Sequence, residues 1–482
     1  MVPVAALLLL GLPAAGSAAT LQLVNQVAGP GQVSPNTNDL QVAPGGNLVV
    51  SDAGNFRIDT FTPTGGLVRA FGSSGSGSGQ FSNPFGVAIQ DDGTIFVVDS
   101  GAGRVEVFSA AGAYLREFAT PRDFYAGMAF NPAQTVLYLV DYTAGNVQRL
   151  SKTGANMGLF GSLGTGTGQL QRPLGISVDT DGKIFVADRD NNRVLRFGPR
   201  GAYRGSRGGV GSGPGQMRGP VDVAVAADTN IFVADTDNRR LLEFSRPGGL
   251  VATYDRITGS AEPTFVPWAV AAAPSGDLYI FDRQSNAQRI VRVRTVPSAP
   301  ELGETVNTGV VSGKVLVNTP GAGGFVPLNR LRGIPVGSVL DTRHGKISLT
   351  SAGNQKGKTQ KGQFNGGLFK VTQGRHSGGL TELALQGGDF GLCKRGAGGR
   401  PARASKKVIR KVSATARKKG KFRTRGKYSA STVRGTVWTM TDRCDGTLTS
   451  VKKGTVVVRD LRRHRNIIVH AHHSYLVKAP GA

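Results

Sequence analysis

PFGVAIQDDGTIFVVDSGAGRVEVF (84–108), PLGISVDTDGKIFVADRDNNRVLRF (173–197) and PVDVAVAADTNIFVADTDNRRLLEF (220–244) are three copies of one pattern. In each, a short apolar strand follows a proline, a tight turn reverses the chain, and a second apolar strand ends on an aspartate. That residue is Asp99, Asp188 or Asp235, and an aspartate closes a similar run at Asp52, Asp141 and Asp282. Successive spacings are 47, 42, 47, 47 and 47 residues. Arg57, Arg104, Arg193 and Arg240 stand five residues after their aspartates, whereas Asn146 and Ala287 occupy the other two positions.

The strands inside one copy can be read directly. In the second copy Gly86–Gln90 forms a short strand, Asp92-Gly93 a hairpin turn, and Thr94–Val98 a strand apolar enough to be buried on both faces. Arg104–Phe108 alternates, and Tyr114–Phe118 follows the Ala111-Gly112 turn. Four antiparallel strands repeating every 40–50 residues, with no amphipathic helix between them, predict an all-β fold of six propeller blades. The sixth copy stops near Thr295 after three strands. Leu21–Val27, ahead of the first copy, is expected to supply its fourth strand and so close the ring without exposed sheet edges.

The repeated aspartate and arginine face each other across a hairpin, where a charge-assisted pair fixes the loop, so a structural role is expected for all ten residues. The connectors GSSGSGSGQF, GSLGTGTGQL and GGVGSGPGQM precede strands, not helices, and so do not read as phosphate loops. Departures from the repeat are more informative. Asp222 and Glu262 lie near blade entries and are candidates for a channel site, and Phe85, Tyr125 and Trp268, with Phe124, for a binding face. Core packing is the alternative for each aromatic.

These motifs resemble the NHL repeat of six-bladed propellers. The signature parts are the Gly-rich connector (75–81), the P-x-G-V-A entry (84–88), the Asp92-Gly93 turn and the V-A-D-x-x-N-x-R-V-x-x-F core (186–197). The resemblance spans about residues 21–296 and implies the fold. It leaves function open, since such propellers bind proteins, nucleic acids, sugars or peptides and a few are enzymes. The lyases of this type hold a channel metal with histidines, and all six histidines here follow residue 300. An enzyme built on this propeller would have to use carboxylates with a metal, as a lactonase-like hydrolase or lyase.

Charge divides the chain. Of 58 Lys+Arg and 31 Asp+Glu, residues 300–482 hold 34 and 8, so the net charge of +27 lies almost wholly in the C-terminal third. Residues 394–427 contain 15 Lys/Arg and no acid, which predicts a loop or basic arm that attracts an anionic polymer. Lys406, Lys407, Arg410, Lys411, Arg417, Lys418, Lys419, Lys421, Arg423 and Arg425 are its candidate contacts. Phe422, Tyr428 and Trp438 suit either base stacking or strand packing. Two cysteines exclude a disulfide-dense scaffold and a four-cysteine zinc site, and in an exported protein Cys393 and Cys444 are expected to pair. His470 and His472 share a strand face, but no nearby ligand completes a metal site. The segments 325–352 and 420–460, the latter with V-R-G-T at Val433–Thr436 and G-x-V-x-V at Gly454–Val458, resemble FecR-like envelope domains, which implies an extracytoplasmic β-domain for interaction.

Residues 1–19 read as a signal peptide, an apolar run followed by Ser17-Ala18-Ala19, and imply export. The remaining divisions are a propeller over 20–296, a linker over 297–311 and a basic β-rich domain over 312–482. The expected protein is secreted or held at the cell envelope, non-enzymatic, without cofactor or metal. Its propeller would recognise an unidentified protein or glycan, and its basic domain an anionic envelope polymer. Intracellular nucleic acid is not an expected partner.

Overall fold

The computed structural model describes residues 19–480 apart from 122–123, 247, 285–287, 298, 322–323, 329–331, 356–357, 394–405, 417–420 and 434–435. The signal peptide therefore lies outside the described residues, apart from Ala19, as do Arg417, Lys418 and Lys419. The described residues group into two compact units, one of which takes in Thr20–Val296.

That unit is a six-bladed propeller. Blade 2 shows the plan: Pro84–Ile89 innermost, then Ile95–Asp99, Arg104–Phe108 and Tyr114–Ala119, each antiparallel to the one before. Blades 1, 3, 4 and 5 repeat it, with inner strands Thr37–Val42, Tyr125–Phe130, Pro173–Val178 and Pro220–Val225. The second strand of each blade is buried on both faces, which explains its unbroken apolar run. Its side chains interlock with the next blade: Phe185 of blade 4 packs among Val223, Ile231 and Phe244 of blade 5.

Blade 6 takes Pro267–Ala272, Leu278–Asp282 and Arg289–Val296 from the end of the repeat array and Thr20–Ala28 from its beginning. Thr20 pairs with Val296 and Ala28 with Ile290, antiparallel, so the ring closes as the truncated sixth copy predicts. The short strand Ile257–Thr258 runs parallel on the outside of Thr20–Ala28 and covers part of its free edge.

The second unit is also all-β. Its strands form one continuous sheet that starts at Thr305–Asn318, so the linker expected over 297–311 is shorter than composition suggests. Alternation explains the core: Phe364, Phe369, Phe422 and Trp438 are fully buried and meet edge to face. Trp438 Nε1 donates to Thr424 Oγ1 at 3.0 Å. Packing thus accounts for Phe422 and Trp438, and Tyr428 lies beside Lys427. Much of the expected basic arm is strand: Val408–Ala416 and Phe422–Arg425. Val412, Ala414 and Ala416 face inward there, an alternation that the density of lysine obscures in the sequence. Cys393 and Cys444 form a disulfide with Cα atoms 5.3 Å apart.

Candidate recognition face at the propeller channel

The repeated aspartates are buried and fully engaged. Arg193 Nε lies 2.8 Å from Asp188, Arg240 Nε 2.7 Å from Asp235, and Arg57 and Arg104 approach Asp52 and Asp99 to 3.7 and 3.9 Å. In blade 6 the loop runs two residues longer and Arg289 reaches Asp282 at 3.0 Å, so the partner that Ala287 cannot supply sits at an offset of seven. The same carboxylates accept backbone N–H groups at the entry of their blades, from Ser34, Ser82, Gln171, Arg218 and Val266. Asp141, which has no arginine behind it, accepts from Thr143 and Ala144 in its own loop. Burial pushes the carboxyls of Asp188, Asp235 and Asp282 above the usual range in spite of these donors.

The arginines also organise the glycine-rich connectors. Arg104 donates to the carbonyls of Ser76 and Gly77, Arg193 to Gly166, and Arg240 to Ser212. Each connector therefore turns carbonyl oxygens onto a guanidinium of its own blade.

Two rings of residues surround the channel axis, because adjacent inner strands touch one another all the way round. The third residue of each inner strand is Asp39, Gly86, Gly127, Gly175, Asp222 or Ala269 in blades 1 to 6. Glycine permits close backbone approach: a Cβ on Gly86 would lie 2.5 Å from the Ala126 carbonyl oxygen, and one on Gly127 2.7 Å from that of Leu174. Where the ring is looser, aspartate bridges it. Asp39 accepts from Leu40 N at 2.7 Å and Val87 N of blade 2 at 2.9 Å. Asp222 accepts from Val223 N and Val270 N of blade 6, both at 2.8 Å. Burial pushes Asp39 up to about 7, and burial with the charge of Asp39 pushes Asp222 well above the carboxylate range. Both line a cavity of about 20 Å³, room for about a water molecule.

The second ring caps that cavity. Ala126, Leu174 and Val221 form a buried cluster against which Phe85, Tyr142 and Trp268 pack half-buried. Phe124 extends it, edge-on to Phe85 at 6.2 Å and to Tyr142 at 5.2 Å. The Arg283 guanidinium lies 4.1 Å from the centre of the Trp268 ring. This mouth is a half-exposed apolar surface with the Arg283 guanidinium at its edge, suited to contact with an apolar or aromatic group. Among the described residues, no group of three or more His, Cys, Asp or Glu side chains is placed to hold a metal ion.

Phe85, Trp268 and Asp222 therefore meet at the channel as the sequence suggests, and two other candidates do not. Tyr125 is 1% exposed and belongs to the core between blades 2 and 3. Glu262 lies on the connector before blade 6, 3.7 Å from Arg289, to which its backbone carbonyl also binds. Asp39, Leu174, Val221 and Arg283 escape the sequence reading. Aligning the third residue of every inner strand would have found Asp39, but TNDLQV lacks the P-x-G-V-A entry that makes the alignment visible.

In the C-terminal unit, Arg410 is paired with the buried Asp442 at 2.6 Å, and Arg423 and Arg425 share Glu382 at 2.6 and 3.7 Å. Lys421 Nζ donates to the Gly378 carbonyl. Lys406, Lys407 and Lys411 are exposed. Basic side chains outside the expected segment are exposed on strands as well: Lys361, Lys370, Lys452, Lys453, Arg459 and Lys478. His470 and His473 meet the Thr455 hydroxyl and the Ala471 carbonyl, respectively.

Residues 170–197 match the family model of the NHL repeat. A stretch of 34 residues is 65% identical to the E3 ubiquitin-protein ligase TRIM71 of Rattus norvegicus and, equally, of Mus musculus, covering 7% of this chain and 4% of each relative. Among solved structures, a streptogramin B lyase is similar at 16% identity, over 53% of this chain and 78% of that one, with a TM-score of 0.41. A chain of a nidogen/laminin complex is similar at 17% identity, over 49% and 84%, with a TM-score of 0.39. The matched repeat and the folded ring agree, and the chain carries an NHL repeat within a six-bladed β-propeller.

Proposed function

We propose that this is a non-enzymatic binding or scaffold protein of the cell exterior or envelope. Its propeller presents the aromatic channel mouth to a protein or glycan, and its C-terminal unit holds an anionic surface polymer. One observation carries the second half: cationic side chains project from the strands of a single sheet, at Lys361, Lys370, Lys411, Lys452, Lys453 and Arg459. Charges fixed on a sheet keep their spacing, which favours a repeating polyanion over scattered counterions. The signal-like N-terminus supports an exterior location, and the FecR-like segments support an envelope one. Full-length protein is expected to be retained on heparin or teichoic acid at low salt and released steeply as salt rises. Charge reversal at Lys411, Lys452 and Lys453 together should flatten the salt dependence, and no retention at low salt would refute the reading.

The competing reading is a carboxylate-dependent hydrolase or lyase, favoured by the pairing of Asp39 and Asp222 on the axis. Against it, each carboxylate already accepts two backbone N–H groups. A calcium-dependent rise in melting temperature that Asp222→Asn abolishes would favour the enzyme.

A further inference from the structure

Blades 4 and 5 meet differently from the other pairs. In blades 1 to 4 the fourth strand sends one side chain beneath the turn glycine of the next blade. At this position stand Phe71, Phe118, Phe160 and Tyr254 in blades 1, 2, 3 and 5, which pair with Ile58, Val105, Val147 and Leu241. Blade 4 has Arg207, paired with Val194. The glycine cover is retained: a Cβ on Gly112, Gly154 or Gly201 would strike the aromatic ring of the preceding blade, and one on Gly248 would lie 3.4 Å from Arg207 Nε.

The neighbouring positions change in concert. Blade 2 pairs Val107 with Arg116, and Arg116 crosses Phe96 and donates to the Lys152 carbonyl of the next blade. Blade 4 pairs Arg196 with Gly205 instead. Arg207 takes over the crossing, lying 5.2 Å from the Phe185 ring centre and donating Nη2 to the Arg246 carbonyl at 2.8 Å. The missing side chain at Gly205 leaves a cleft of about 440 Å³, lined by Arg196 and Arg207 on one side and by Phe244 and Leu250 on the other.

The cleft is electrostatically incomplete. Arg207 is 8% exposed and, among the described residues, makes that single hydrogen bond and keeps a buried Nε without a partner. Arg196 likewise makes one hydrogen bond, to the Arg204 carbonyl. Among the described residues neither guanidinium is paired with a carboxylate. Burial, reinforced by the like charge of Arg196, pushes Arg207 down to about 10. The other buried arginines of the propeller, Arg104, Arg240 and Arg289, all face acids. A desolvated guanidinium with free donors calls for an oxyanion.

We propose that the cleft between blades 4 and 5 is a binding site for an organic oxyanion of monosaccharide size. Its carboxylate or phosphate is held between Arg196 and Arg207, and its uncharged body rests on Phe244 and Leu250. The site is lateral and independent of the channel mouth.

The probes are D-glucuronate and glucose 6-phosphate, with glucose as the neutral control, added to the full-length protein at 150 mM salt. The readout is the Arg Nε–H nuclear magnetic resonance spectrum, which separates this site from the basic C-terminal unit. The Arg207 signal is identified by its loss in Arg207→Phe, a variant that restores the residue type of blades 1 to 3 and keeps the inter-blade packing. We expect the Arg207 Nε–H signal to shift with one or both anions and not with glucose. Affinity by calorimetry should fall at least tenfold in Arg207→Phe and three- to tenfold in Arg196→Val. A shift with glucuronate alone assigns a carboxylate ligand, with the phosphate alone a phosphorylated one. No shift with either anion at 10 mM, or an unchanged affinity in a folded Arg207→Phe, would overturn the proposal.

Discussion

In the propeller, the repeated aspartates point inward. Asp52, Asp99, Asp188, Asp235 and Asp282 are each fully buried, and each ties an arginine and a strand entry together. In the C-terminal unit the buried acids are fewer, Asp442 and Asp460 among them, and exposed cations crowd the surface. The same residue types therefore do different work. In the ring, charge is internal mortar repeated in five of the six blades, balanced almost one to one. In the second unit it is external and unbalanced, so that the sheet must be held by apolar packing and by the Cys393–Cys444 bridge. A net charge summed over the whole chain hides this division.

The comparison breaks first if the internal pairs are dispensable. Asp235→Ala strips the partner from Arg240 and Asn238 at a site without solvent, and should cost roughly 3–5 kcal/mol. Chemical denaturation should show the loss in the propeller transition alone, and a change under 1 kcal/mol would mean that the repeated aspartate is not structural.

Next in size is the bridge. The disulfide closes a span of 51 residues, and its loss releases unfolded-chain entropy equivalent to about 4 kcal/mol. Mild reduction or Cys393→Ser with Cys444→Ser should lower the melting of the C-terminal unit and leave the propeller unmoved. Equal shifts in both would show that the two units do not melt separately.

The smallest effect concerns pH. Asp39, raised from 3.8 to about 7, is protonated in the folded state where the unfolded chain is already ionised. A raised carboxyl favours folding at low pH, and this advantage fades as pH climbs through the folded value. The propeller should therefore lose roughly 2–3 kcal/mol between pH 5 and pH 8 from this residue alone. Asp39→Asn should remove that share of the slope in thermal melts and leave the share of Asp59 and Glu106, which burial also raises to about 7, whereas the C-terminal unit should not respond to the variant. A slope unchanged in the variant would place the titration elsewhere.

The ring was readable because its information is periodic. Six aspartates in register fix the blades, and a sixth copy short by one strand points to Thr20–Ala28 as the missing piece. Individual sites were less readable wherever the period slips. Arg289 does its work two residues late, and Asp39 hides in an entry strand without proline. Tyr125 departs from the repeat because it occupies a proline position, yet that position is buried in every blade, so its ring belongs to the core. In the second unit no period exists to average over. There the lysines around Val408–Ala416 outweighed an inward alternation of only three small residues, and the pairing of Arg410 with Asp442 joins positions 32 residues apart.

The strand pairing of Thr20–Ala28 with Arg289–Val296 also sets a clock. The first segment of the propeller to leave the ribosome is the last to find its partner, since about 270 residues separate the two strands. At roughly 5–20 residues per second, synthesis alone imposes a wait of about 15–50 s before the ring can shut. Through that interval the third strand of no blade can pair with Thr20–Ala28, and an apolar edge stands open. Closure of the ring therefore waits on the last strand of the array to be made, Arg289–Val296.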